Sequence, residues 1–224
     1  MQQKNWKIIS KALNSLLPRW IFFLSWRQYL QRKHWRSQNI GDLHGFDKYA
    51  KDRPQVPYLV KEIQERVNKD NSIFDLGCNC GFYLKKLRDI GYSNLSGVDI
   101  SNAAVEYGRA EFNLQKVDLH VGAFEDVLPK LIENGVKFDL IYSMGATVEL
   151  VHPSFDVIRK MCQLSSKYIV LFIQEWGHTT PRMYEYEFQK QGFMLVKCVR
   201  PYDGSSVSGV NIESVASLLV FQKL

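Results

Sequence analysis

The feature that most restricts the fold is a regular alternation that starts at residue 58, in which short apolar segments take turns with helix-length amphipathic ones. The periodicity predicts helices over 58–67, 80–90, 102–113, 124–134, 153–165 and 181–191, with strands over 73–76, 95–99, 117–121, 138–143 and 168–174 between them. Connections of that length let each strand return parallel to the one before, so the expected sheet is parallel and covered by helices on both faces. The last two strands, 193–200 and 214–222, are separated by Asp203-Gly204-Ser205-Ser206 and its neighbours, with no helical pattern. They predict an antiparallel hairpin at one edge. The expected fold class is thus α/β, with a mostly parallel seven-stranded sheet. In such sheets ligands bind outside the carboxyl ends of the strands, and the loops there are where function is sought.

The first of those loops is Asp75-Leu76-Gly77-Cys78-Asn79-Cys80-Gly81, which follows a strand and opens a helix, and Asp99 ends the next strand. Gly77 permits a sharp reversal, Gly81 lets helix and strand pack closely, and Asp99 is placed to accept hydrogen bonds from a ribose diol. The Gly-x-Gly-x-x-Gly spacing of a dinucleotide site is absent. Asp75 before the turn suits a cationic ligand better than an anionic one.

On these residues the chain resembles the class I S-adenosylmethionine-dependent methyltransferases, over about residues 55 to 224. Asp75, Gly77 and Gly81 match the family's acidic-x-Gly-x-Gly-x-Gly turn, with Asn79 at the middle glycine, and Asn tolerates a left-handed backbone better than other non-glycine residues. The resemblance implies a Rossmann-like methyltransferase fold and S-adenosyl-L-methionine as cofactor, with S-adenosyl-L-homocysteine as product. It implies further that the backbone from Gly77 through Cys78 and Asn79 to Gly81 approaches the methionine portion and that Asp99, with Ile100 beside it, holds the ribose. Ala123 and Phe124 stand where the family contacts adenine, and Ser143 closes the fourth strand at the same rim.

Motifs of particular methyltransferase classes are missing. The loop from Ser143 to His152 has no Asp/Asn/Ser-Pro-Pro-aromatic motif of amino-directed nucleic-acid enzymes. No Asp follows the fourth strand to ligate magnesium, so no metal is expected, and no Pro-Cys nucleophile occurs. A proton must be removed only for acceptors such as alcohols. His178 after the fifth strand, and with it His152 and Glu175, are the candidate bases, each also readable as an ordinary loop or helix-start residue. Cys78 and Cys80 read as packing and backbone contacts rather than nucleophiles.

The formal charge of +6 divides unevenly. Residues 1–41 carry eight Lys and Arg with no carboxylate, whereas residues 42–224 sum to −2. Four of the five tryptophans, Trp6, Trp20, Trp26 and Trp35, lie in that N-terminal arm, which is unlike a disordered basic tail. At 100° per residue, Trp6, Ile9, Leu13, Leu16 and Leu17 fall on one side of residues 4–17, with Lys4, Lys7 and Lys11 opposite. Pro18 then ends or kinks that helix and opens a second, through Leu30. Three readings follow: a peripheral anchor in which residues 1–30 meet an anionic membrane surface, a lid or homodimer contact, and a grip on RNA. The aliphatic density weighs against nucleic acid. The expected organisation is arm 1–41, connecting loop 42–57 and methyltransferase domain 58–224. The seven-residue, mostly apolar run between Arg19 and Arg27 is too short to span a bilayer, and four scattered cysteines read as reduced thiols of a cytoplasmic protein. The function expected from these features is O-methylation of a small-molecule, glycan-precursor or lipid-linked acceptor near a membrane. An RNA methyltransferase and a non-catalytic S-adenosylmethionine-binding scaffold are the alternatives.

Overall fold

A computed structural model describes residues 25–53, 55–144, 147–174, 182–199 and 216–224. The chain opens on helix α1 (Ser25–Arg36) and a single 3-10 turn at Phe46–Lys48, followed by α2 (Val56–Gln64). Then come β1 (Ile73–Leu76), α3 (Phe82–Asp89), β2 (Leu95–Asp99), α4 (Asn102–Glu111), β3 (Asp118–Val121), α5 (Phe124–Glu133) and β4 (Phe138–Met144). The second half holds α6 (Thr147–Leu150), α7 (Val157–Leu164), β5 (Ser165–Gln174), α8 (Tyr184–Gln189), β6 (Phe193–Val199) and β7 (Ala216–Lys223). The strand order is β3-β2-β1-β4-β5-β7-β6. Pairs β1–β2, β1–β4, β2–β3 and β4–β5 are parallel, and β7 runs antiparallel to both β5 and β6. This is the expected sheet with its edge hairpin.

The central strand β1 is buried along its whole length, as a strand covered on both faces must be. One apolar cluster packs Phe74, Leu76 and Ile141 against α5, α7 and α8, and a second packs Ile73, Leu140 and Tyr142 against α2 and α3. Local chemistry sets several element starts. Ser101 caps α4 by accepting the Ala104 N–H at 3.2 Å, and Asp156 caps α7 by accepting the Arg159 N–H at 3.0 Å. The helix expected from residue 153 therefore begins at Val157. At the amino edge of the sheet, Asp139 accepts from Ser72 N–H and Asn71 Nδ2 and faces Lys167 at 2.9 Å. Burial alone would raise that carboxyl, but Lys167 and the donors of Ser72 and Asn71 hold it at about 2.

The segment read as a connecting loop is packed. Phe46 is buried, lies tilted against Tyr107 with the ring centres 5.1 Å apart, and joins Cys80, Phe82 and Ala104 in a third apolar cluster. Helix α1 runs six residues past Leu30, where the sequence reading ended it, because Gln31–Arg36 contains no helix breaker. The two-faced segment 4–17 lies outside the described residues.

Candidate functional site

A cleft of about 370 Å³ opens at the carboxyl end of the sheet, a size usual for a small-ligand site. Its floor is the turn after β1. Gly77, Asn79 and Gly81 all take the left-handed conformation, with φ of 85°, 50° and 71°. Asn79 thus adopts the backbone expected of a middle glycine, and its Oδ1 accepts the Cys80 N–H at 2.9 Å, a local bond that steadies the turn. Helix α4 crosses so close that a Cβ on Gly108 would stand 2.0 Å from the Cys80 carbonyl oxygen.

Asp99 closes β2 at the cleft wall. Its Oδ2 accepts the Asn79 N–H and its Oδ1 the Ser101 N–H, both at 2.8 Å. Each oxygen keeps a further lone pair for a ligand hydroxyl. Burial raises this carboxyl above its ordinary range, against the pull of the Ser101 and Asn79 amides. Asp75 sits behind the turn and is 1% exposed. The β1–β4 register sets it beside Tyr142, whose hydroxyl donates to Oδ2 at 2.8 Å. Oδ1 has no protein partner among the described residues, and burial pushes the carboxyl up to about 8. Burial likewise pushes the Cys80 thiol up to about 12 and Cys78 well above its ordinary value, which leaves both as poor nucleophiles.

Of the residues expected to meet the cofactor, Gly77, Cys78, Asn79, Asp99, Ile100, Ala123 and Phe124 line the cleft. Asp75 and Gly81 stand behind it. Ser143 is fully buried and donates to the Leu76 carbonyl at 3.0 Å, and its neighbour Met144 lines the cleft instead. Of the candidate bases, His152 lines the cleft, whereas Glu175 and His178 lie outside the described residues. The Ser154 N–H points at His152 Nδ1 at 3.2 Å, with Ser154 Oγ 2.8 Å away. An amide only donates, so the neutral ring carries its hydrogen on Nε2 and suits a donor better than a base.

The roof comes from the second half of the arm, for which a lid was one of the three readings. Gln31, Arg32, Trp35 and Gln38, spaced three or four apart along one face of α1 and its continuation, line the cleft, as do Tyr49 and Arg53. Arg32 pairs with Glu125 at the start of α5, fastening α1 across the opening.

A family model described as "Methyltransferase domain" matches residues 73–167, the stretch from β1 into β5 that carries the turn and Asp99. Residues 73–167 thus carry a methyltransferase domain, and the fold is that of the class I S-adenosylmethionine-dependent methyltransferases. Magnesium protoporphyrin IX methyltransferase from Synechocystis with bound S-adenosylmethionine superposes with a TM-score of 0.62 at 14% identity, over 88% of this chain and 97% of that one. An S-adenosylmethionine-dependent methyltransferase from Mesorhizobium loti gives 0.58 at 15% identity, over 80% and 100%. These likenesses concern the fold. In sequence, an "Uncharacterized RNA methyltransferase" of Clostridium tetani is 34% identical over an alignment 125 residues long that covers 48% of this chain and 26% of that protein. The match spans about a quarter of that relative. The residues present fit the cofactor: left-handed turn, spare acceptors on Asp99, and a cleft running from the turn to Ala123 and Phe124. When bound, it supplies an electrophilic methyl group to a nucleophile held in line with it.

Proposed function

We propose that this methyltransferase transfers the methyl group to a hydroxyl oxygen of a small or lipid-linked acceptor, and that the N-terminal arm brings it to the membrane face where the acceptor lies. The observation that carries this reading is the roof. Helix α1 covers the cleft, and Trp35, Phe46, Tyr49, Phe82, Tyr83, Phe124 and Phe172 make its walls largely aromatic. A covered aromatic cleft favours a compact, partly apolar acceptor over a long polyanion. His152 lines the cleft. His178 takes the proton, with Glu175 as the other candidate on the same segment. Phe172 and Ile173 line the cleft, and Gln174 ends β5, so residue 178 is within about 14 Å of chain reach of that strand end.

RNA as acceptor is the second reading, favoured by the relative of that name. Incubation with methyl-labelled S-adenosylmethionine and separate polar-metabolite, lipid and RNA fractions distinguishes them. Label should enter a solvent-extractable lipid or metabolite and be lost by roughly 100-fold or more in His178→Asn, while homocysteine-product binding stays intact. Label confined to RNA would replace the proposal with the second reading.

A further inference from the structure

Resting on the proposed function, we propose that Gln31, Trp35 and Gln38 of the roof form a sugar-binding subsite, and that the hydroxyl methylated belongs to a neutral sugar ring of the acceptor. Asp99, Ala123 and Phe124 bound the cleft from the strand ends and fit the cofactor, so the roof bounds what remains. Trp35 lies four residues after Gln31 on α1 and Gln38 three further along, so the three share one face and line the cleft together. The other roof residue of this helix, Arg32, is paired with Glu125. The wall that this face presents is an indole between two amides, with its one cation neutralised.

These side chains are held in place. Trp35 is half-buried, and His34 and His44 pack on it with ring centres 5.3 and 5.6 Å away. Neither histidine lines the cleft, so both steady the indole from outside and leave its cleft side to a ligand. Gln38 Nε2 donates to the His34 carbonyl at 2.9 Å, which fixes the amide and leaves its Oε1 to accept. The Gln31 amide has no hydrogen-bond partner among the described residues, so its donor and its acceptor are both spare. A sugar ring presents C–H bonds on one face and hydroxyls around its rim. The C–H face packs on a large rigid indole, and each rim hydroxyl both donates and accepts, as an amide does. A purely hydrocarbon acceptor would leave those amides unsatisfied, and a phosphate would find no free cation on this face. One ring hydroxyl then takes the methyl group. Its oxygen forms the new O–C bond as the sulfonium S–C bond breaks, and its proton passes to the base, His178 in the proposed function.

The full chain incubated with methyl-labelled S-adenosylmethionine and the polar-metabolite and lipid fractions gives a labelled product whose acid hydrolysis tests the substrate class, because methyl ethers survive the acid that cleaves glycosidic bonds. Label should be recovered in an O-methyl monosaccharide. Recovery on a non-sugar hydroxyl would overturn the sugar subsite and leave the proposed function standing, whereas label confined to RNA would overturn the proposed function and the subsite with it. Variants test the residues. Trp35→Ala should raise the apparent KM for the fraction that takes label by about 10-fold or more with little change in kcat, and Trp35→Phe should recover part of that loss. Gln31→Leu should raise the same KM by about 5- to 10-fold. Calorimetry should find S-adenosylhomocysteine affinity unchanged in all three. A loss of that affinity in Trp35→Ala would assign the indole to the cofactor or to the fold of the roof, and an unchanged KM would remove it from acceptor binding; either result overturns the subsite.

Discussion

At the scale of single residues, the site depends on one buried acid being held in an unusual state. Asp75 is enclosed behind the turn with one hydroxyl donor, and burial pushes it up to about 8, so at neutral pH most of it is protonated. Folding therefore takes up a proton wherever the unfolded carboxyl is ionised. A folded pKa above the unfolded one contributes stability that is complete below about pH 4 and is lost as pH rises through about 8. The slope is about 1.4 kcal/mol per pH unit across that window. Urea unfolding at pH 5 and pH 8 reads it: the native chain should lose stability between the two, and Asp75→Asn, neutral throughout, should lose distinctly less. Identical pH dependence in both proteins would show that Asp75 is ionised in the folded state. Asp99, also raised by burial, faces the cleft, and its two amide donors favour its charged form. Two acids 24 residues apart, alike in sequence, are thus divided by environment into a neutral support and a half-buried, cleft-facing ligand acceptor.

At the scale of elements, what the sequence makes legible depends on how local its cause is. Strands β1 and β2 fall where alternation and flanking turns place them, and α5 falls within one residue, because each is specified by its own apolar pattern. Helix α6 is four residues long and carries too little periodicity to be read. The turn and Asp99 are legible because a conformational requirement and a spacing both appear in the chain. Tyr49 and Arg53 are not, since segment 36–57 has the glycines and prolines of a connector and gains its role only by packing over the turn through Phe46. Gly108 belongs to the same class. It sits inside α4, where a glycine costs helix stability, and its reason is the Cys80 carbonyl 2.0 Å from where its Cβ would be. Gly108→Ala must push α4 away from backbone. It should destabilise the fold by about 1–3 kcal/mol in urea unfolding and weaken S-adenosylhomocysteine binding as the turn shifts. Unchanged stability and affinity together would show that α4 is free to move off the turn.

At the scale of the whole molecule, the proposed function gives the arm's two halves different tasks. The described half, α1 and its continuation, lies over the cleft through Gln31, Arg32, Trp35 and Gln38, and Arg32 is tied to Glu125. That half is occupied by its own domain. The half before it, residues 1–24, holds Lys4, Lys7, Lys11 and Arg19 with Trp6, Ile9, Leu13, Leu16 and Leu17, cations and apolar groups on opposite sides of a helical projection. Among the described residues no helix is long and apolar enough to cross a membrane. Each Lys or Arg near an anionic surface contributes about 1 kcal/mol, and the apolar side adds to it by burial among acyl chains. A chain beginning at Ser25 keeps the roof and loses those groups. Full-length protein should therefore float with vesicles containing phosphatidylserine, less so as salt is raised from 50 to 500 mM, while the chain from Ser25 should stay in the dense fraction and still bind S-adenosylhomocysteine. Replacing Lys4, Lys7 and Lys11 by Glu should reduce flotation on anionic vesicles more than on neutral ones, because it reverses the charge but leaves the apolar side intact. If the two chain lengths float equally, residues 1–24 are not the anchor, and the acceptor reaches the cleft from solution.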